Sequence, residues 1–279
     1  MLFRSNIKES NWRETNVTSH APLDQNLTGW EDVAKNWGSV GWPRRPRWEN
    51  EFDRVMPLIS TASGSETLVF GATPEFRVWL RRFTSSRISL YEKSSRSLYQ
   101  MEHILRSQFD LSPDPRELLI KKDWADSDVE TNRFSLALGD IITGYLGSTD
   151  GLAAFLEKVY KMLRPKGIFI LRDFVNIPFL ETDQVLDSLP IDTKRWAAVL
   201  KPGVAIDGEL FYESQLISFA KTTGDVDLLS TCASSPRTRL ILSLDNFQRI
   251  LHNSPFQKVV LIIPPTSFPV QPGLWALHK

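Results

Sequence analysis

The stretch Glu66–Phe76 constrains the fold more than any other part of this sequence. Its first half, Thr67–Phe70, is β-branched, apolar or aromatic and predicts a short buried strand. Gly71 allows a sharp turn, and Pro74 suits the first position of a helix, where its missing N–H costs nothing. A strand, a glycine turn and a helix N-terminus point backbone N–H groups at the space above the strand end. The stretch therefore predicts either a nucleotide-like ligand at this point or an ordinary turn of an α/β domain.

Three further strands are predicted to end in residues suited to a nucleoside, namely Arg87–Tyr91, Leu118–Ile120 and Phe134–Leu138. Glu92 follows the first of them and lies 21 residues after the glycine of the turn. Such folds place an acid on the ribose hydroxyls at an interval of about 20 residues. Asp123 and Trp124 follow the next strand, where an acid can accept from the adenine amine and an indole can cover the ring. Gly139 and Asp140 follow the last one.

With these residues the sequence resembles the class I S-adenosylmethionine-dependent methyltransferases, in particular the small-molecule branch whose first motif reads Leu-Gly-x-Thr-Pro-Glu. The likeness runs from about Thr67 to Asp173. It implies an α/β fold with a Rossmann-like, seven-stranded, mostly parallel sheet that ends in an antiparallel strand pair, and S-adenosylmethionine as the cofactor. The cofactor-binding residues that it implies are Gly71, Ala72, Thr73 and Glu75 in the first loop, Glu92 and Lys93 at the ribose, Asp123 and Trp124 at the adenine, and Gly139 and Asp140 at the fourth strand.

Composition and charge exclude several kinds of partner and site. Lys plus Arg and Asp plus Glu each number 33, so the formal net charge is zero and no nucleic-acid partner is expected. A single cysteine, Cys232, excludes an internal disulfide, and the four scattered histidines predict no metal site. No stretch approaches the roughly 18 apolar residues of a membrane span. We expect a cytoplasmic protein that does not bind membranes, and a homodimer is left open.

Residues 1–60 are predicted to form an N-terminal arm and lid on the main domain, residues 61–279. Five of the nine tryptophans lie in the first 48 residues, namely Trp12, Trp30, Trp37, Trp42 and Trp48. Aromatic faces stabilise a sulfonium cation by about 0.5–2 kcal/mol each, which favours a helical, aromatic lid over the cofactor. A packed aromatic cap is the competing interpretation. Trp42 and Arg44 are the candidate ligand-binding residues of this segment, although an arginine run such as Arg44, Arg45 and Arg47 more often belongs to a solvated loop.

The second half of the chain predicts the remainder of the sheet and one insertion. We expect helices over Gly151–Leu163 and Leu244–His252, and strands over Gly167–Phe174, Phe256–Ile263 and Leu274–Leu277. The insertion, about residues 176–237, is expected to be helical over Phe179–Leu189 and Glu209–Thr222. It either shapes an acceptor pocket or braces the sheet.

The chemistry that follows from the resemblance is in-line methyl transfer to a small molecule. The sulfonium already activates the methyl carbon, so the protein must chiefly hold donor and acceptor in line and dry. Asp140, at the tip of the fourth strand, is the first candidate for a catalytic residue that positions the acceptor. Tyr145 is the second candidate and Asp173 a weaker one. Each also has a structural interpretation, which for Asp140 is a helix cap.

Three other functions compete with methyl transfer. A nicotinamide dehydrogenase would share the glycine turn and the acid, but Thr73 and Phe76 stand near the places of its second and third glycines. Transfer or cyclisation of the aminopropyl part of S-adenosylmethionine would release methylthioadenosine instead, and the aromatic N-terminal segment keeps this reaction as the main alternative. A protein that binds S-adenosylmethionine without catalysis is the third.

Overall fold

The computed structural model describes residues 46, 51–61, 66–71, 73–124, 130–175, 210–212, 238–240, 242–265 and 272–279. Its helices are α1 (Asp53–Thr61), α2 (Pro74–Phe83), α3 (Ser95–Phe109), α4 (Thr143–Leu146), α5 (Thr149–Met162) and α6 (Leu244–Asn253). Its strands are β1 (Glu66–Phe70), β2 (Ile88–Glu92), β3 (Glu117–Lys121), β4 (Phe134–Asp140), β5 (Leu163–Asp173), β6 (Leu210–Tyr212), β7 (Thr238–Leu240), β8 (Lys258–Ile263) and β9 (Gly273–His278).

Seven strands form one sheet in the order β3-β2-β1-β4-β5-β9-β8. Strands β1 to β5 are parallel, whereas β9 runs antiparallel to both β5 and β8. This is a Rossmann-like fold, and the prediction of a mostly parallel sheet with a terminal antiparallel pair is confirmed. The chain leaves β3 at the edge and re-enters at β4 beside β1, so the strand order reverses between β1 and β4. Sheets of this kind bind ligands at the carboxyl ends of the strands near that reversal.

Alternate residues of each central strand face two separate hydrophobic clusters, one on each side of the sheet. On one side Leu68 and Phe70 of β1 pack with Phe155 of α5 and Phe247 of α6. On the other side Val69 packs with residues of α1 and α2, among them Ile59 and Trp79. Both faces of a parallel sheet are covered in this way, which explains the continuous apolar runs of β1 and β4.

Helix α2 begins at Pro74, as the sequence predicts, and Arg81 and Arg82 lie in its last turn. Helices α3 and α5 each begin with a serine cap, because Ser94 accepts from the N–H of Ser97 and Ser148 accepts from the N–H of Gly151. These local signals fix where the helices begin. Each helix carries the chain back along the sheet, so that the next parallel strand starts at the same edge.

The insertion differs from the expected helices where the structure describes it. Residues 210–212, predicted to be helical, form strand β6, which pairs antiparallel with β7. The prediction for these residues is wrong, because Leu-Phe-Tyr has high strand propensity and finds a partner strand far along the chain. The β6–β7 pair lies beside α4, which it contacts through β7. The predicted helix over Phe179–Leu189 lies outside the described residues.

Most of the predicted arm and lid also lies outside the described residues, including all five of its tryptophans. The described end of the segment packs on the sheet, where Phe52, Val55 and Ile59 are buried. Among the described stretches of the chain, no helix combines the length and the apolar character needed to cross a bilayer.

Candidate functional site

The turn after β1 is held at the carboxyl edge of the sheet by its neighbour β2. Gly71 has a φ of +78°, a backbone conformation that side chains with a Cβ rarely adopt. Its N–H donates to the carbonyl of Tyr91 at 2.9 Å. The sequence therefore places glycine where the chain must turn in the left-handed region, and the turn opens toward the ends of β2 and β3.

Three predicted cofactor-binding residues meet at this turn. A Cβ added to Gly71 would lie 3.4 Å from Cζ2 of Trp124 and 3.9 Å from Oε2 of Glu92. These residues come from the ends of β1, β2 and the segment after β3, which are adjacent strands in the sheet. The tertiary structure thus brings together a glycine turn, a carboxylate and an indole that are separated by up to 53 residues in sequence.

The two carboxylate oxygens of Glu92 have different surroundings. Oε2 lies near the glycine turn, and Oε1 is held by a hydrogen bond. Oε1 accepts from the N–H of Ser94 at 2.9 Å. Burial and the nearby charge of Asp123 raise the pKa of Glu92, and the backbone N–H groups of Ser94 and Lys93 oppose that rise. A fixed carboxylate with one oxygen toward the turn is of the kind that accepts hydrogen bonds from a ribose diol.

Trp124 is fixed by its indole N–H and by two aromatic neighbours. Nε1 donates to the carbonyl of Tyr91 at 2.9 Å. Its ring meets Phe70 and Tyr145 edge-on, with centroid distances of 6.4 and 6.0 Å. Tyr145, a predicted catalytic residue, is 41% exposed and lies on α4. The structure therefore places Tyr145 beside the indole of the predicted nucleoside site.

Lys93 and Asp123 form an ion pair at the rim of the same region. Their Nζ and Oδ2 atoms are 2.9 Å apart, and the two side chains are 67% and 36% exposed. An exposed pair contributes little to stability, typically about 0–1 kcal/mol, so either partner can exchange it for a ligand at little cost. The predicted adenine contact of Asp123 would replace this pair.

Asp140 lies at the second part of the site, where β4 and β5 end. Its Oδ1 accepts from Nη1 of Arg172 at 2.8 Å, and its Oδ2 accepts from Oγ1 of Thr73 at 3.3 Å. Arg172 also donates from Nε to Oε1 of Glu51 at 2.9 Å. The side chains of Arg172, Asp140 and Glu51 are 0%, 6% and 5% exposed. A buried guanidinium therefore links the fourth strand end to the residues that precede α1.

Two buried carboxyl groups of this cluster have raised pKa values. Burial raises the pKa of Asp140 to about 6; the charges of Glu75 and Glu51 add to the rise and Arg172 opposes it. Burial likewise raises the pKa of Asp173 to about 7, although the N–H groups of Thr143 and Phe174 donate to it. Carboxyl groups that titrate near neutrality are candidates for holding a proton during a reaction.

The turn after Asp140 is strained. Ile141 has a φ of +53°, which is unusual for a β-branched residue and costs on the order of 1–3 kcal/mol. Its N–H donates to the carbonyl of Arg172 at 2.7 Å. Such conformations persist only where surrounding contacts impose them, and they cluster at functional sites.

The remaining predicted residues have other positions or lie outside the described chain. Glu75 is buried in the first turn of α2, near enough to Asp140 for its charge to raise the pKa of that residue. Packing explains the glycine at position 139, because a Cβ there would lie 2.8 Å from Cγ1 of Ile142 and 3.1 Å from Cζ of Phe169. Ala72, Trp42 and Arg44 lie outside the described residues.

Sequence reasoning missed Arg172 and Glu51. The available signal was an arginine in the otherwise apolar end of β5, since a charge in a buried strand requires a partner. In the part of the chain that the structure describes, no group of three His, Cys, Asp or Glu side chains could hold a metal ion.

No protein-family model matches the chain, and no curated protein matches it by sequence. Solved structures match it by shape. A proposed O-methyltransferase of Nostoc punctiforme superposes with a TM-score of 0.52 over 90% of this chain at 15% identity. Phosphoethanolamine N-methyltransferase 2 of Haemonchus contortus, in complex with phosphomonomethylethanolamine and S-adenosylhomocysteine, gives 0.51 over 86% at 13% identity. The chain spans 60% and 46% of the length of these two proteins.

A proposed zinc-dependent alcohol dehydrogenase of Rhodobacter sphaeroides also has a similar shape. It gives a TM-score of 0.56 at 12% identity and covers 93% of this chain and all of its own. At such low identities these likenesses establish the fold alone, and the roles of individual residues rest on the geometry of this chain.

Proposed function

We propose that this protein is an S-adenosylmethionine-dependent methyltransferase that acts on a small molecule by in-line methyl transfer. The observation that carries the proposal is the meeting of Gly71, Glu92 and Trp124 at the carboxyl edge of the sheet. A glycine turn lets the backbone approach the ligand closely, a carboxylate can accept hydrogen bonds from the ribose hydroxyls, and an indole can cover the adenine ring.

Each element of the site has a proposed role toward the cofactor. Glu92 accepts from the ribose hydroxyls, Trp124 covers the adenine ring, and Asp123 accepts from the exocyclic amine after releasing Lys93. The turn at Gly71, Ala72 and Thr73 faces the methionine part. The bound cofactor supplies a methyl group made electrophilic by its sulfonium, so the chain needs only to align the acceptor and exclude water.

Asp140 is the proposed residue for the acceptor end of the site. It lies at the tip of β4, is joined by a hydrogen bond to Thr73 of the cofactor turn, and is buried away from water. A carboxyl group with a pKa of about 6 is mostly ionised at neutral pH. It can accept a hydrogen bond from an amine or hydroxyl acceptor and take up its proton.

The decisive measurement is calorimetric titration of the full chain with S-adenosylmethionine and S-adenosylhomocysteine. Replacing Glu92 by Ala should weaken both by roughly 10- to 100-fold, because hydrogen bonds to a charged group contribute about 1.5–3 kcal/mol. Glu157→Ala, at an exposed position of α5, is the matched control and should bind normally. Absence of heat with either ligand in the wild type would contradict the proposal.

Product analysis separates methyl transfer from the other uses of the same cofactor. Incubation with S-adenosylmethionine and a set of small amines, alcohols and thiols should yield S-adenosylhomocysteine only when an acceptor is present. Methylthioadenosine formed without an acceptor would instead support the aminopropyl reaction. Tight binding with neither product from any acceptor would support the non-catalytic alternative.

A further inference from the structure

Arg172 contacts three separate parts of the site from the end of β5. Its side chain donates to Oδ1 of Asp140 at 2.8 Å and to Oε1 of Glu51 at 2.9 Å. Its carbonyl accepts the N–H of the strained Ile141 at 2.7 Å. Because a guanidinium keeps its proton at every accessible pH, Arg172 is a permanent positive charge at this position.

The contacts of Arg172 orient the carboxylate of Asp140. One oxygen points to the guanidinium, and the other lies 3.3 Å from the hydroxyl of Thr73 in the turn after β1. A chain of polar contacts thus runs from Glu51 through Arg172 and Asp140 to Thr73. The register of the sheet supports it, since Asp140 and Arg172 are directly paired between β4 and β5.

We propose that Arg172 and Glu51 are positioning residues that hold the Asp140 carboxylate toward the turn after β1, where it attracts the positive sulfonium of S-adenosylmethionine. This inference rests on the function proposed above. It means that the protein distinguishes S-adenosylmethionine from S-adenosylhomocysteine, which lacks the sulfonium charge, through the charge and orientation of Asp140.

Four charged groups from three parts of the chain surround Asp140, and their effects on its pKa have opposite signs. They are Glu51 before α1, Glu75 in α2, and Arg172 and Asp173 at the end of β5. Arg172 favours the ionised form of Asp140, whereas the carboxylates disfavour it. Removing Arg172 should therefore raise the pKa of Asp140 further, and neutralising Glu51 should lower it.

The experiment measures the affinity ratio of S-adenosylmethionine to S-adenosylhomocysteine by calorimetry from about pH 5 to about pH 8, a range that brackets the titration of Asp140. In the wild type the ratio should rise with pH as Asp140 ionises. Asp140→Asn should lower the ratio by roughly 10-fold at about pH 8 and remove the dependence of the ratio on pH. Arg172→Met should move the midpoint to higher pH, and Glu51→Gln should move it to lower pH.

Arg77→Met is the matched control, because Arg77 is also 0% exposed and ion-paired, but its side chain pairs with Glu102 of α3 and with Glu117 at the amino end of β3, whereas the site lies at the carboxyl ends of the strands. It should leave the ratio and its midpoint unchanged. Opposite shifts in Arg172→Met and Glu51→Gln are not expected from a general loss of structure. If Arg172→Met does not fold, Glu51→Gln carries the test together with Arg172→Lys, which restores the charge and should stay near the wild-type midpoint.

The two levels of the proposal fail in different ways. A wild type that binds neither ligand would remove the proposed function. If the wild type binds both ligands, the positioning roles alone are overturned when Glu51→Gln and a folded Arg172→Met keep the wild-type midpoint, or when Arg77→Met moves it equally. If Arg172→Met does not fold, a wild-type midpoint in Glu51→Gln has the same meaning.

Discussion

Two wholly buried arginines, Arg77 and Arg172, have very different surroundings. Arg77 in α2 shares the carboxylates of Glu102 and Glu117 with Arg81, one turn along the helix, and Arg106 also lies 3.8 Å from Glu102. Arg172 pairs with both Asp140 and Glu51, and two further buried acids, Glu75 and Asp173, lie close by. Among the described residues, Glu117 contacts two guanidinium groups, whereas Asp140 contacts one.

The contacts with arginine, set against burial, decide how each carboxyl group titrates. Burial opposes ionisation of Glu117, but hydrogen bonds and charges from Arg81 and Arg77 outweigh it and lower its pKa. In the cluster at Arg172, burial prevails and the pKa of Asp140 rises to about 6. Similar burial therefore gives a permanently charged network that joins α2, α3 and β3 in one case, and a group poised to exchange a proton in the other.

Replacing each arginine by methionine should give the largest contrast between the two clusters. Arg172→Met removes the guanidinium that pairs with the buried carboxylates of Asp140 and Glu51 and should cost about 3–5 kcal/mol of unfolding free energy at pH 8. The cost should shrink toward pH 5, because Asp140 and Asp173 can then take up protons. Arg77→Met should cost a similar or smaller amount that changes little over this range, since Arg81 still pairs with Glu117. Denaturant unfolding at both pH values measures the difference, and equal pH dependence in the two variants would refute the contrast.

The pH dependence of wild-type stability should be of intermediate size. The pKa of Asp140 and that of Asp173 are raised from 3.8 to about 6 and about 7, so the native state binds more protons than the unfolded state between about pH 4 and pH 7. Stability contributed by these groups is therefore present below about pH 4 and is lost as the pH rises through that window, on the order of a few kcal/mol for each group, since one pKa unit corresponds to about 1.4 kcal/mol.

Single amide variants test this assignment. Asp173→Asn should flatten the fall in stability between about pH 4 and pH 7. Glu117→Gln tests the opposite sign, because the lowered pKa of Glu117 gives stability that is present above its ordinary value of 4.5 and is lost in acid. Thermal unfolding followed from about pH 2 to about pH 8 provides the data for both variants, and an unaltered slope in Asp173→Asn would show that Asp173 is ionised throughout.

The smallest effect is expected at the exposed rim of the site. Lys93→Ala removes the ion pair with Asp123 and should change the unfolding free energy by less than about 1 kcal/mol, because the pair is solvated. If Asp123 exchanges Lys93 for the adenine amine, the variant should bind S-adenosylmethionine as well as the wild type or slightly better. A loss of affinity above about 10-fold would mean that Lys93 itself holds the cofactor.

The elements that build the site could be predicted from sequence because their signals are local. One short stretch contains the apolar run of β1, the left-handed turn at Gly71 and the proline at the start of α2. Each of these features has one physical explanation. The convergence of Glu92 and Trp124 on that turn followed from parallel strands that end at a common edge. The contact of Trp124 with Tyr145 had no such signal, because it depends on how α4 leaves β4.

By itself the sequence determined the order and type of the main elements, the mostly parallel sheet and the residues presented at its four strand ends, because strand period, glycine and proline act on the nearest residues. Only the tertiary structure decided the β6–β7 pairing, the left-handed Ile141, and the joining of Arg172 to Asp140 and Glu51. Glu51 lies 121 residues from Arg172 in the chain. The partner of a buried charge, and so its pKa, is set by packing between distant segments, and no local pattern records that choice.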